Sequence, residues 1–139
     1  MRCWHKDLIP VLPRKQLLGQ WRECCAIAKN IAEKGTPNHI LVNKIMDYPI
    51  EHFWLYGTWI YFEAKKRNIE LFFMNFDKYF PKELNDKEIK EAKIFGSWHD
   101  DQYLLQCFYN LQEKFDCGGI TDEQYDEIHK LMIWKGFRV

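Results

Sequence analysis

Apolar residues recur at helical spacing in the first long segment of the chain. Between residues 14 and 34 the positions three, four and seven apart are apolar, and they are Leu17, Trp21, Cys24, Ala28 and Ile31. This period predicts a helix with one buried face. Gly35 predicts its end, because glycine readily adopts the left-handed conformation that closes helices. Before the helix, Pro10 and Pro13 predict an extended arm over residues 1–13.

The middle of the chain is rich in aromatic residues. Thr36 followed by Pro37 is typical of a helix start and predicts a short helix up to about Asp47. The apolar residues within 51–67 do not alternate with polar ones, and the segment ends in a basic run, which favours a helix over a strand. That helix is expected to continue or restart over residues 69–79.

Three capping motifs predict the remaining helices. Asn85 with Glu88 predicts a helix that ends at Gly96. Ser97 with Asp100 predicts a second helix, which the run 117–119 breaks. Thr121 with Gln124 predicts the last, ending near Trp134.

These elements predict an all-α protein: a compact single-domain helical bundle over residues 1–139 with an extended N-terminal arm. Of its 139 residues, 47% are apolar and 17% aromatic, which is enough for a substantial core. The five cysteines are an odd number and fit a reduced, cytoplasmic setting. The N-terminus does not read as a signal peptide, and every apolar run is too short to span a bilayer. We therefore expect no association with a membrane. We also expect a monomer.

Charge is unevenly distributed although the net charge is zero. Residues 1–80 carry 12 Lys and Arg against 8 Asp and Glu, whereas residues 81–139 carry 8 against 12. A neutral chain is not a typical general nucleic-acid binder. Its N-terminal half, however, could face a polyanion.

One acid, Glu23, stands in the middle of the first long helix beside Arg22. The face that it shares with Gln16, Gly19 and Gln20 is polar or small. Gly19 costs about 1 kcal/mol relative to alanine within a helix, which suggests that something approaches the backbone there. A lone acid on a long helix is, however, also common as a solvated surface residue. The neighbouring basic stripe of Lys15, Arg22 and Lys29 could likewise bind a ligand or be simply solvated.

The segment 20–23, Gln-Trp-Arg-Glu, resembles the pyrimidine-dimer DNA glycosylases of the phage endonuclease V type. In that family an Arg-Glu pair on the first long helix carries the catalytic carboxylate. The run 66–71, Lys-Arg-Asn-Ile-Glu-Leu, is similar to a basic motif on the family's middle helix. The resemblance covers roughly residues 1–80.

The resemblance implies a glycosylase and AP lyase that acts on double-stranded damaged DNA without a metal or cofactor. The chain's α-amine would attack the sugar C1′ and form a Schiff base, assisted by Glu23. Phosphate contacts are expected from the basic residues of the N-terminal half. These candidates are Arg14, Lys15, Arg22, Lys29, Lys65, Lys66 and Arg67. For residues 65–67 the alternative is a basic helix end that complements the helix dipole.

The N-terminus departs from the family pattern, which has a small residue after the initiator methionine. Here the second residue is Arg2, and large residues normally block removal of Met1. Either Met1 or Arg2 supplies the amine, or the lyase activity is lost. Two alternatives follow: a DNA-binding or scaffold protein of the same fold, and a glycosylase for another modified base. Cysteines and histidines occur without a metal-binding motif, so no metal site is expected.

Overall fold

The computed structural model of the protein describes residues 1–90 and 93–139. The arm contains a 3-10 helix, Lys6–Val11, and is followed by α1 (Arg14–Lys34) and a second 3-10 helix, Asn43–Asp47. Then come α2 (Ile50–Lys66), α3 (Met74–Asp77), α4 (Asp86–Lys90), α5 (Asp101–Asp116) and α6 (Asp122–Trp134). The described residues contain no strand, so the predicted all-α class is confirmed. No helix among them is long and apolar enough to cross a membrane.

Helix α2 lies at the centre of the fold and contacts α1, α4 and both 3-10 helices. Its Gly57 faces the buried ring of Phe76 from α3, and a Cβ at Gly57 would overlap that ring. A glycine is therefore needed here for the close approach of α3. Aromatic rings fill the remaining space between α1, α2 and α3, with Trp21 and Phe53 both packing on Phe76. This packing holds α1, and with it Glu23, in a fixed orientation.

The N-terminal arm is present but is not extended throughout. Residues 6–11 form a 3-10 helix, and His5 caps it by accepting a hydrogen bond from the Asp7 amide at 3.0 Å. Leu8 and Ile9 are buried, which explains why this stretch coils against the core instead of lying free. The residues before it, including Cys3 and Trp4, are buried as well. The arm is thus an integral part of the core.

Arg67 anchors the far end of the arm. Its guanidinium donates to the carbonyl of Leu12 at 2.7 Å and to that of Pro10 at 3.0 Å. Its Nε donates to Glu63 at 2.8 Å. Carbonyls at the end of a helical turn lack partners within the helix, and a guanidinium with several donors satisfies them. Arg67 therefore serves the fold.

Local signals predicted the long helices well. Helix α1 begins at Arg14 and ends at Lys34, where Gly35 adopts the left-handed conformation with φ 73°. Helix α2 lies where the aromatic run predicted it. The capping box of Thr121 and Gln124 is complete, with hydrogen bonds of 2.9 and 3.1 Å, and α6 ends at Trp134.

The short connections were predicted less well. The helix expected after Thr36 is absent up to Val42, because the Thr36 hydroxyl binds the amide of Asn38, which takes a left-handed φ of 58°. Only Asn43–Asp47 is helical, and it is a 3-10 helix. Between residues 69 and 79 the chain is irregular over 69–73, and the expected helix restarts only as the short α3.

Two predicted helix boundaries need correction. Asp100, not Ser97, caps α5 by accepting the Tyr103 amide at 2.8 Å, while the Ser97 hydroxyl bonds that of Tyr48. The helix opened by Asn85 is described from Asp86 to Lys90. Its predicted continuation through residues 91 and 92 lies outside the described residues, and residues 93–96 are not helical.

Two buried, stacked histidines, His5 and His99, join the arm to the segment that precedes α5. His99 accepts the Lys6 amide at 3.0 Å through Nδ1, and its own carbonyl lies 2.8 Å from His5 Nε2. The ring centroids are 5.0 Å apart. Burial lowers the pKa of His99 from its ordinary value of 6.5 to about 2, and it also lowers the pKa of His5.

Acid is therefore expected to destabilise the fold through His99. Below pH 6.5 the unfolded chain binds a proton at this residue and the folded chain does not, so stability is lost as pH falls. The expected slope from one histidine is about 1.4 kcal/mol per pH unit. Urea unfolding at pH 6.0 and 5.0 should show at least this slope, because the pKa of His5 is lowered as well, and His99→Asn should reduce the slope by about the contribution of one histidine. An unchanged slope in a folded variant would contradict the assignment.

Candidate active site

The buried amide of Gln20 on α1 binds the first residues of the arm. Its Nε2 donates to the Arg2 carbonyl at 2.8 Å, and its Oε1 accepts the Trp4 amide at 2.8 Å. Gln20 is 1% exposed, so water does not compete for these bonds. An amide side chain carries a donor and an acceptor like those of a peptide group. Gln20 thus pairs with the arm as a neighbouring strand would.

Two tyrosine hydroxyls hold the adjacent carbonyls of the arm. Tyr103 on α5 donates to the Cys3 carbonyl at 2.6 Å, and Tyr56 on α2 donates to the Trp4 carbonyl at 2.6 Å. Burial raises the pKa of both tyrosines, so both hydroxyls keep the proton that they donate. Side chains from three helices therefore fix the backbone of residues 2–4.

This arrangement brings the backbone nitrogen of Arg2 to Glu23. The nitrogen lies 3.0 Å from Glu23 Oε2, close enough for a charge-assisted hydrogen bond. Glu23 is half-buried, whereas Met1 is 39% exposed. The guanidinium of Arg2 is elsewhere, 5.3 Å from the centre of the Trp4 ring. It is thus the main chain of residue 2, and not its side chain, that meets the carboxylate.

A groove of about 290 Å³ opens beside this contact. Helix α1 contributes Gln16, Gly19 and Glu23 to its wall, and α5 contributes Asn110 and Lys114. Gly19 leaves open space on one side of the groove, since the nearest side-chain atom to a Cβ at this position would be 4.0 Å away. The sequence prediction missed the α5 residues. Their spacing of four places them on one helix face, but nothing in that spacing shows which helix the face meets.

A second, basic groove of about 420 Å³ lies one step around α1. Arg22 and Lys29 line it as the predicted stripe implied, and Lys78 joins them from beyond α3. An Nη atom of Arg22 lies 4.0 Å from the point where a Cβ at Gly19 would stand. The Arg22 guanidinium is therefore on the ridge between the two grooves. Lys78 went unnoticed because it is isolated in the sequence.

The other predicted contact residues are more dispersed. Arg14 and Lys15 are exposed at the start of α1, and Lys65 and Lys66 are exposed at the end of α2. Lys66 lines a separate apolar hollow beside Trp59 and Phe62. The structure places Arg2 and Glu23 in the first groove and Arg22 and Lys29 in the second, and it leaves the basic run 65–67 outside both.

Three buried cysteines in or near the arm, Cys3, Cys24 and Cys107, are unreactive as thiols. Burial raises the pKa of the Cys3 thiol, and the charge of Glu23 raises it further. Burial likewise raises the pKa of Cys24 and Cys107. A thiol needs to ionise before it acts as a nucleophile, so these residues do not compete with an amine. Within residues 1–90 and 93–139, no three His, Cys, Asp or Glu side chains come together as a metal site would require.

Comparison with known protein families supplies the decisive observation. The family model described as pyrimidine dimer DNA glycosylase matches residues 1–78. The chain belongs to this family. The match covers more than half of the chain and includes Arg2, Gln20, Arg22 and Glu23. Searches of curated proteins and of solved structures gave no match.

Members of this family are DNA glycosylases that act on damaged DNA, which agrees with the resemblance found in the sequence. The match ends just after α3, so the family model does not cover α5. In the structure, Tyr103, Asn110 and Lys114 nevertheless contact the arm or line the groove. The part of the chain outside the match therefore completes the candidate site.

Gly19 provides a test of whether DNA enters this groove. An alanine there would clash with nothing, because the nearest side-chain atom stands 4.0 Å from the added Cβ. Gly19→Ala should raise the free energy of unfolding by up to about 1 kcal/mol, since alanine favours helix. The same methyl group would displace a nucleotide held close to the helix backbone, so glycosylase activity on damaged DNA should fall at least about tenfold. Urea unfolding and single-turnover base release measure the two effects, and unaltered base release would show that no nucleotide approaches the groove wall at Gly19.

Proposed function

We propose that the protein excises UV-induced pyrimidine dimers from double-stranded DNA and cuts the strand through a Schiff base formed by the amine of Arg2. The observation that carries the proposal is the 3.0 Å distance between the Arg2 nitrogen and the Glu23 carboxylate. While Met1 is attached, that nitrogen is an amide. Once Met1 is removed, the same nitrogen becomes an α-amine beside an acid and a groove.

An α-amine suits this reaction better than a lysine does. Its ordinary pKa is about 7.7–8.0, compared with about 10.4 for lysine, so a useful fraction is neutral and nucleophilic near pH 7. The amine nitrogen would form a bond to C1′ as the bond from C1′ to the base breaks. One amine proton passes to the departing base. The lone pair of the nitrogen then breaks the bond from C1′ to the ring oxygen, which takes up a proton from solvent and becomes a hydroxyl, so that a protonated imine remains at C1′.

Glu23 has two tasks in this sequence. Its negative charge stabilises the positive charge that develops at C1′ while the base departs. As a base it then removes a proton from C2′, the bond from C3′ to oxygen breaks, and the 3′ phosphate leaves. Both tasks need a carboxylate next to the attacking nitrogen, and Glu23 Oε2 is hydrogen-bonded to it.

The two grooves support binding of a DNA strand along α1. Arg22, Lys29 and Lys78 form a cationic surface one helix face away from Glu23. Such a surface suits phosphates on either side of the damaged nucleotide. Arg14 and Lys15 extend it to the start of the helix, while Lys65 and Lys66 would reach only more distant phosphates. We leave Arg67 out of this set, because the arm uses its donors.

Borohydride trapping tests this function. A protein released from a cleavable fusion so that Arg2 is its first residue should form a covalent adduct with duplexes containing a thymine dimer or an abasic site. A panel of other modified bases would detect a different glycosylase specificity. A folded protein that traps neither duplex would refute the lyase mechanism.

A binding or scaffold protein without lyase activity is the second candidate. The observation that favours it is Arg2 itself, since a large second residue normally leaves Met1 in place and the nitrogen at Glu23 as an amide. The N-terminal mass of the protein purified without a fusion distinguishes the two. A retained, acetylated Met1 would favour this candidate.

A further inference from the structure

Gln20 stands immediately before the Trp-Arg-Glu segment of α1 and is bound to the arm on both sides of Cys3. We propose that Gln20 is a positioning residue that sets the register of the arm, so that the nitrogen of residue 2 meets Glu23. The inference rests on the proposed function. It adds a residue that acts through its bonds to the arm and thereby determines which nitrogen reacts.

The register follows from the alternation of an extended backbone. Carbonyl and amide groups of successive residues point to opposite sides of such a segment. On one side Gln20 contacts the carbonyl of Arg2 and the amide of Trp4, both at 2.8 Å. On the other side Tyr103 contacts the carbonyl of Cys3 at 2.6 Å. A slip by one residue would turn each of these groups away from its partner, so all three bonds would be lost together.

The same slip would also move the reacting atom. One residue of extended chain spans about 3.3 Å. The hydrogen bond from the Arg2 nitrogen to Glu23 is 3.0 Å long, so a shift of one residue would place that nitrogen out of reach. Gln20 is 1% exposed, and Cys3 next to the paired groups is fully buried, so solvent offers no alternative partner.

A purely structural role would explain the same bonds, and it makes a different prediction. Loss of a residue that only stabilises the fold should lower the trapping rate by the same factor in a chain that starts at Arg2 and in one that starts at Met1. A residue that sets the register distinguishes a chain that starts at Arg2 from a chain that starts at Met1. The discriminating measurement is therefore the preference for one N-terminus over the other, determined with and without the Gln20 amide, as in a double-mutant cycle.

The experiment uses the full chain in four forms: starting at Arg2 or at Met1, each with Gln20 or with Gln20→Ala. Trapping rates on abasic duplex at saturation give the chemical step, and the Kd for a duplex with a tetrahydrofuran abasic analogue gives binding. For the Arg2 form, Gln20→Ala should reduce the trapping rate by about 100-fold, as expected for a reacting group misplaced by an ångström or more. The Kd should stay within about twofold, since the amide itself faces the arm. The advantage of the Arg2 form over the Met1 form should shrink.

Two further variants complete the design. Gln112→Ala removes a glutamine that donates to Tyr125 at 3.0 Å, away from the arm, and should leave both the rate and the preference unchanged. Tyr103→Phe removes the hydroxyl on the opposite side of the arm and should lower the trapping rate in the same direction. It serves as the test if Gln20→Ala does not fold.

The outcomes separate the register from the function. If the Arg2 form with Gln20 traps abasic DNA and Gln20→Ala keeps its rate and its preference, the positioning role is refuted and the function stands. If both N-terminal forms lose rate by the same factor, Gln20 is structural and the inference is refuted. If the Arg2 form with Gln20 does not trap at all, the proposed function fails, and the inference fails with it.

Discussion

Glu23→Gln is expected to abolish strand cleavage while DNA binding persists. Glutamine has nearly the same shape, and its oxygen can still accept the hydrogen bond that the Arg2 nitrogen makes at 3.0 Å. The arm should therefore stay in place. What disappears is the negative charge and the basic oxygen. General acid–base catalysis is commonly worth about 10²–10⁴-fold, and an electrostatic stabiliser about 10²–10³-fold. We expect a loss of at least about 10³-fold in single-turnover cleavage of dimer-containing duplex.

Binding provides the internal comparison for this variant. Removing an anion next to DNA phosphates reduces repulsion, so the Kd should remain similar or become lower. Glu33→Gln is the matched control, because Glu33 is an exposed acid near the other end of α1. It should cleave at the normal rate. Normal cleavage by Glu23→Gln would exclude Glu23 from the chemistry.

Features with local causes were predictable from the sequence. The apolar period and Gly35 gave α1 with both of its ends, and a complete capping box gave the start of α6. Glu23 was singled out because the residues on its helix face are polar or small. The structure places a groove on that face. In each case the determining interactions lie within a few residues along the chain, where a pattern can represent them.

Features that depend on tertiary contacts were not predictable in this way. Lys114 and Asn110 line the groove only because α5 packs beside the arm. Arg67 belongs to a basic run that suits phosphates equally well, but its donors reach carbonyls more than fifty residues earlier in the chain. Gln20 was noticed as part of a polar face, and its role depends on where the arm folds. A sequence pattern shows which groups a segment offers, whereas the fold determines which partners they find.

Retention of Met1 is expected to have the other large effect, the loss of Schiff-base trapping. In the chain with Met1 the nitrogen at Glu23 is an amide, and its lone pair is delocalised into the peptide bond. The α-amine then belongs to Met1, which lies one residue further from Glu23 along the arm and is 39% exposed. Displacing the nucleophile by about one residue removes the alignment that the groove provides. We expect the Met1 form to be trapped at least about 100-fold more slowly than the Arg2 form. This is about the loss that misplacement of a reacting group produces.

Two preparations of the full chain measure this effect: one with Met1 confirmed by mass, the other released with Arg2 first. Acetylation of the Arg2 form is the control, because it blocks the amine and leaves Glu23 and both grooves intact. It should abolish trapping without weakening the binding of abasic duplex. Equal trapping by the Met1 form would mean that the arm slides inward by one residue and brings the Met1 amine to Glu23. That result would contradict the fixed backbone of residues 2–4, because the three hydrogen bonds that Gln20 and Tyr103 make to it would have to break for the amine to arrive.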